Sequence, residues 1–169
     1  AVVVANPPYM GGKGMNGRLS AWAKENFPRS KSDLFAMFIE RNLDLAVKGG
    51  AVAMITMQSW MFLSSYEKFR VWLLDQHSFV SMAHLGARAF DSIGGEVVST
   101  TAFVVRANSS RDRTGIFIDL TDGESEAQKS YSLLETIAQG GGTNFHVAEA
   151  GKFHSIPGSL ISYATPEVV

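Results

Sequence analysis

Close to the start of the chain Asn6, Pro7, Pro8 and Tyr9 stand side by side. Asn6 offers a side-chain carbonyl. Pro7 offers a main-chain carbonyl at a residue whose φ is fixed and which carries no amide hydrogen. Two aimed acceptors suit one –NH2 donor. An amino group conjugated to a base or an amide is a poor nucleophile, and holding both of its N–H bonds at preset positions favours the pyramidal geometry in which positive charge develops. Tyr9 adds a flat ring on which a base can stack, a contact of about 1–3 kcal/mol in single-strand binders. Asn6, Pro7, Pro8 and Tyr9 are therefore the candidate catalytic residues, and Tyr9 a candidate base-stacking residue, of a pocket for a base turned out of its helix. A plain proline turn at a strand end would use the same four residues.

The elements that must position this loop can be read along the chain. Positions 1–5, Ala-Val-Val-Val-Ala, predict a strand buried on both faces, as in a parallel sheet, which the two prolines end. A short helix is expected over 18–27, stopped by Pro28. Ser32 is the expected N-cap of a longer helix reaching about position 48, with Leu34, Phe35, Phe38, Ile39 and Leu43 on its apolar face and Gly49 and Gly50 as the stop. Positions 51–57 form the next buried strand. Strand, helix, strand with short joints implies a right-handed parallel crossover. Trp60 follows that strand's C-terminal end, the edge where open α/β sheets bind ligands, and suits either a pocket wall or the buried junction. A helix is expected over 66–76 and strands over 79–85 and 97–105. No helix separates the last two, which predicts an antiparallel hairpin at the sheet edge. After Asn108 the composition turns to Ser, Arg, Asp and Thr, with a strand at 115–120, a polar helix at 125–138 and a glycine loop at 140–142.

Asn6-Pro7-Pro8-Tyr9 after a buried strand resembles the catalytic loop of the amino-group methyltransferases, which move a methyl group from S-adenosylmethionine onto adenine. Positions 31–40, reading Lys-x-Asp-Leu-Phe-x-x-Phe-Ile-Glu, are similar to the segment after that loop in fused type II restriction-modification and phage-defence methylases. Phe90-Asp-x-Ile-Gly-Gly-Glu-Val-Val and Phe153-x-x-Ile156-Pro-Gly-Ser resemble the methylases of BREX-type defence systems. The resemblance implies an α/β chain, part of a Rossmann-like S-adenosylmethionine-dependent methyltransferase fold with a mainly parallel sheet and an antiparallel edge hairpin. Positions 1–108 would be the C-terminal half of the catalytic domain. Positions 109–169 would be an appended α/β or loop segment leading toward a target-recognition region. It places Phe90 opposite Tyr9 as a second base-stacking residue, Asn6 and Asp33 beside the cofactor, and Lys13 and Arg18 against DNA phosphates. S-adenosylmethionine is the implied cofactor, and double-stranded DNA and other defence-system subunits the implied partners.

In such enzymes the methyl donor rests on a glycine-rich loop and an acidic residue upstream of the catalytic loop, and no segment of this chain has that context. The expectation is thus the catalytic-loop half of an adenine-specific DNA methyltransferase, inactive by itself, excised from a longer protein. Transfer to a protein glutamine or to RNA is the first alternative, and a non-enzymatic scaffold of a defence complex the second.

Composition sets the outer limits. The chain has 169 residues, 46% of them hydrophobic, enough for one sizeable core. A net charge of −1 gives no global basic field, so nucleic-acid contact must come from a local patch or from elsewhere in a longer protein. Without cysteine there are no disulfides or thiolate metal sites. His146 and His154 share no face and have no acidic partner at metal spacing, so no metal ligand is assigned. The glycines at 11, 12, 14 and 17 match neither a Walker loop nor a dinucleotide fingerprint and read as a connector. With no signal peptide and no long apolar run, a soluble cytoplasmic chain is expected.

Overall fold

The computed structural model of the protein describes residues 1–91, 98–108 and 113–164. Six strands form one sheet: β1 (Val2–Ala5), β2 (Ala51–Met57), β3 (Ser78–Gly86), β4 (Thr100–Arg106), β5 (Thr114–Asp119) and β6 (Phe145–Glu149), in the order β1-β2-β4-β3-β5-β6. β1, β2, β3 and β5 run one way, and β4 and β6 run against them. The fold class is the α/β mixed sheet that the sequence predicts. Its hairpin, β3 with β4, lies inside the sheet rather than at the edge, because β5 pairs with the outer side of β3 and β6 follows. The segment after Asn108 thus extends the same sheet.

Helix α1 (Gly17–Asn26) begins where the Asn16 side chain accepts the Leu19 amide at 2.9 Å. α2 (Leu34–Leu45) is capped by Asp33 rather than by its neighbour Ser32. Both residue types cap well, and the backbone register set by the preceding loop selects Asp33. α2 also ends earlier than its composition suggests. The Gly49 amide donates to Ala107 O and the Ala107 amide to Gly50 O, each at 2.8 Å, so the chain after Leu45 is drawn onto the end of β4. Gly49 turns at φ +75°, and a Cβ on Gly50 would stand 2.9 Å from Val47 O. α3 (Glu67–Gln76) returns to β3. In the tail, α4 (Glu126–Gln139) is capped by Ser125 and closed by Gly140 in the left-handed region, and α5 (Ala150–His154) is a short turn of helix.

The core occupies one face of the sheet. Val52 and Met54 of β2, Met82 of β3, and Phe103 and Val105 of β4 meet Phe35, Ile39 and Leu43 of α2 and Phe69 and Leu73 of α3. Trp60, fully buried, stacks on Phe79 at 6.2 Å and presents edges to Phe69 and Phe103, so it belongs to the junction and not to a pocket wall. Phe117, Phe153, Ile161 and Tyr163 of the tail join the same cluster. Arg70 is buried as well. It donates to Gly158 O, Trp60 O and Leu63 O, tying the tail to the turn after β2.

The opposite face is largely bare. Expected to be buried on both sides, β1 is an edge strand whose Val2 and Val4 are 67% and 75% exposed. Val4, Ala53, Ala83, Ala102, Val104 and Ile116 line an open apolar groove of 820 Å³, with Leu133 and Ile137 of α4 and Phe145 of β6 on its border. Among the described residues no helix is long and apolar enough to cross a membrane.

His77, at the end of α3, makes the fold acid-sensitive. Its Nδ1 accepts the Asn108 amide at 3.1 Å and its ring meets Trp72 edge-on at 4.9 Å. Burial, with the Arg29 charge second, lowers its pKa to about 4. The unfolded chain takes up this proton near pH 6.5, so the stability contributed by neutral His77 is complete above about pH 6.5 and is lost as the pH falls toward 4, about 3 kcal/mol at the limit. His77→Asn keeps an acceptor that does not titrate. It is expected to flatten the pH dependence of stability over that window, read from denaturant titrations at pH 7 and pH 4.5.

Candidate functional site

The Asn6–Tyr9 loop leaves the C-terminal end of β1 beside the second half of β2, since Ala5 is in register with Met54, the middle residue of that strand. Pro7 is buried, Tyr9 is half-buried, and Asn6 and Pro8 are exposed. The prolines stop the strand, so the chain turns across the sheet edge. Asn6, Pro7 and Tyr9 then form one wall of a cavity of 340 Å³. Ile55 of β2, Thr100 of β4, and Arg88, Ala89 and Phe90, from the connection after β3, line it as well. The volume lies in the range of small-ligand pockets and suits a group the size of one base. Among the described residues, no hydrogen bond within the chain engages the Asn6 carboxamide or the Pro7 carbonyl.

Two sequence-predicted rings, Tyr9 and Phe90, are therefore brought to one cavity from positions 81 residues apart in the chain. Tyr9 is held edge-on against Phe35, with ring centroids 6.1 Å apart and planes at 84°. Burial pushes its hydroxyl pKa up, so it stays a neutral phenol. Phe90 follows Gly86 and Arg88, both at positive φ, +66° and +58°. That turn swings the connection back toward the loop. Residues 92–97, which carry most of the motif begun by Phe90 and the expected start of β4, lie outside the described residues.

The other predicted residues lie elsewhere. Lys13 sits in a 3-10 turn (Gly12–Gly14) and Arg18 in α1, both exposed and neither on the cavity. Asp33 does not line it either; its carboxylate accepts backbone amides at the start of α2. His146 and His154 are far apart in their contacts, the first against Tyr163 and the second against Asp75. Among the described residues no three His, Asp or Glu side chains gather as a metal site.

Sequence reasoning missed the polar network behind the connection. His84 of β3 is buried, with Nδ1 2.6 Å from the Tyr163 hydroxyl and Nε2 2.7 Å from the Gln58 side chain. Burial lowers its pKa, against the opposing Asp119 charge, so the ring is neutral, donating from one nitrogen and accepting at the other. It thereby joins the turn after β2, the end of β3 and the tail. Lys129 of α4 adds a second tie, its Nζ 2.7 Å from both Leu85 O and Leu120 O. The only local signal was a histidine in an apolar strand; its partners lie 26 and 79 residues away.

Comparison with known proteins shows the family. The chain is 52% identical over 161 residues, 95% of its length, to the adenine-specific methyltransferase BrxX of Escherichia coli O9:H4 (strain HS). It is 41% identical over 96% of its length to the adenine-specific methyltransferase PglX of Lacticaseibacillus casei (strain Zhang). It spans 13% of each of these relatives. Among solved structures, its fold matches the methyltransferase subunit of the type I restriction-modification system from Streptococcus thermophilus, with a TM-score of 0.63 at 17% identity, covering 94% of this chain and 36% of that one. The family model described as Eco57I restriction-modification methylase matches residues 1–90, the stretch from β1 to Phe90, and the chain belongs to that family.

Proposed function

We propose that this chain is the catalytic-loop half of an adenine-specific DNA methyltransferase serving phage defence or restriction-modification, and that it acts as part of a longer protein. The observation that carries the reading is that Asn6, Pro7, Tyr9 and Phe90 line a single cavity of base size. Tyr9 and Phe90 hold a flipped adenine between two rings, and the Asn6 and Pro7 carbonyls accept the two N–H bonds of its exocyclic amino group. That orientation turns the nitrogen lone pair toward the electrophile, and as the N–C bond forms the growing positive charge is shared with both oxygens. The nitrogen then releases one proton to water. S-adenosylmethionine, when bound, would supply the electrophilic methyl group, its methyl–sulfonium bond breaking as the N–C bond forms and the thioether S-adenosylhomocysteine leaving. The residues present fit the amino acceptor better than the donor, because among the described residues no carboxylate able to hold a ribose lines the cavity or the apolar groove.

The groove explains where the rest of the enzyme belongs. Asn6 borders both the cavity and the open apolar face, where Ala53, Ala83 and Ala102 leave room for a helix to approach closely. Residues 1–108 form half of a domain whose other half covers that face and brings the donor to Asn6. Residues 109–169 continue the sheet toward a target-recognition region, with double-stranded DNA and further defence subunits as partners. Lys13 and Arg18 lie outside the cavity on the loop side, where they contact DNA phosphates.

The test is transfer of a labelled methyl group from S-adenosylmethionine to an adenine-containing duplex by the full-length protein. Tyr9→Ala is expected to lose about 10- to 100-fold in kcat/KM, the worth of one base-stacking contact, and Tyr9→Phe to stay near wild type. Label in protein or RNA in place of DNA would change the substrate. Defence without any methylation would identify a scaffold.

A further inference from the structure

Asp33 makes two kinds of contact, and only one is needed by its helix. The residue is 8% exposed, and its Oδ1 accepts the Phe35 amide at 3.2 Å, which caps α2. The same oxygen accepts the amide of Met10 at 3.0 Å, across 23 positions of sequence. Met10 directly follows Tyr9. On either side of this bond the Leu34 amide donates to Met10 O and the Gly12 amide to Ser32 O, each at 3.1 Å, and Gly11 pairs with Asp33 as an antiparallel bridge. A capping Ser or Asp elsewhere in a protein serves its own helix; here the cap is shared with the outgoing end of the catalytic loop. The loop is thus fixed at both ends, by the β1 ladder before Asn6 and by Asp33 after Tyr9. The Tyr9 ring rests on Phe35, in the first turn of the helix that Asp33 caps. Burial raises the Asp33 pKa against three backbone amides that lower it.

We propose that Asp33 is a positioning residue: through the Met10 amide it sets where Tyr9 and the Pro7 carbonyl stand in the cavity. The inference rests on the reading of that cavity as the acceptor site. Displacing a reacting group by about 1 Å costs on the order of 100-fold in rate, so the loss of this anchor should appear in kcat.

The experiment compares Asp33→Ala, Asp33→Asn and Ser125→Ala in the full-length protein. Ser125→Ala removes an equivalent cap from α4, remote from the cavity. Asp33→Ala is expected to lower kcat for duplex methylation by roughly 10- to 100-fold with less than about a 3-fold change in KM for DNA. Asp33→Asn, whose carboxamide oxygen can still accept, should recover most of the rate, and Ser125→Ala should keep it. Backbone hydrogen exchange of the peptide over 7–12 should accelerate in Asp33→Ala while the middle of α2 stays protected. An unchanged kcat, unchanged exchange over 7–12, or exchange that accelerates across all of α2 would overturn the proposal. So would a rise confined to KM for S-adenosylmethionine, which would make Asp33 a cofactor contact. The exchange arm needs no turnover, so it still decides the anchor if the full-length protein does not methylate DNA.

Discussion

Asn6→Ala in the full-length protein is expected to reduce methyl transfer to adenine by about 10²- to 10³-fold while leaving DNA binding nearly intact, the size of effect seen when one preorganised polar group is removed from a reacting centre. The physical reason is that Asn6 does little for the ground state. Its carboxamide is exposed, has no hydrogen bond within the chain among the described residues, and can be lost without opening the core. On the proposed reading, what it contributes would arise when the amino nitrogen takes on positive charge and its N–H bonds become stronger donors. The Pro7 carbonyl would remain, as would the rings of Tyr9 and Phe90, so the base would still enter the cavity. The signature is therefore a fall in kcat with KM for DNA little changed, measured with labelled cofactor on a duplex of the recognised sequence. A loss divided equally between kcat and DNA affinity would mean that Asn6 holds the base rather than activating it.

The loop was legible in sequence because everything that makes it is local. Two prolines end a strand of β-branched residues, and the neighbouring Asn and Tyr supply the acceptor and the ring. The α2 and β2 spans followed from the same kind of signal, a wide apolar helix face and then an unbroken apolar strand. Legibility fell where the deciding partner is distant. Val2 and Val4 read as buried because an apolar run does not say whether anything covers it. Nothing in the described chain covers them, and Val4 borders the open apolar groove, an exposed area of the kind that marks an interaction surface. Arg70 sits among apolar residues of α3 and gave no hint of burial, since its acceptor at Gly158 lies 88 positions on. His84 needed both Gln58 and Tyr163 to be placed before it meant anything. The choice of Asp33 over Ser32 as cap turned on the Met10 amide, a contact made by the loop and invisible in the helix's own sequence.

Trp60→Ala tests the other half of the arrangement, the rigid platform from which the cavity is built. Trp60 follows β2 in a 3-10 turn (Gln58–Met61) and donates its indole N–H to Thr56 Oγ1 at 3.2 Å. It fills the space between α3 and the sheet against Phe69, Phe79 and Phe103. Replacement by Ala leaves a large void among rings that are themselves pinned, and a loss of about 3–5 kcal/mol is expected. Trp60→Phe fills much of the volume but leaves the indole's hydrogen-bond position empty, and should cost clearly less. The measurement is the free energy of opening of β2 and β4 amides by native-state hydrogen exchange, which reports this core even inside a longer protein. A loss below about 1 kcal/mol would show that the site collapses around the missing ring. Trp60 does not line the cavity, so at temperatures where Trp60→Ala stays folded its KM for DNA should match wild type. A variant that is stable but binds DNA poorly would instead place the indole in the base pocket, the other role open to an aromatic at this edge of an α/β sheet.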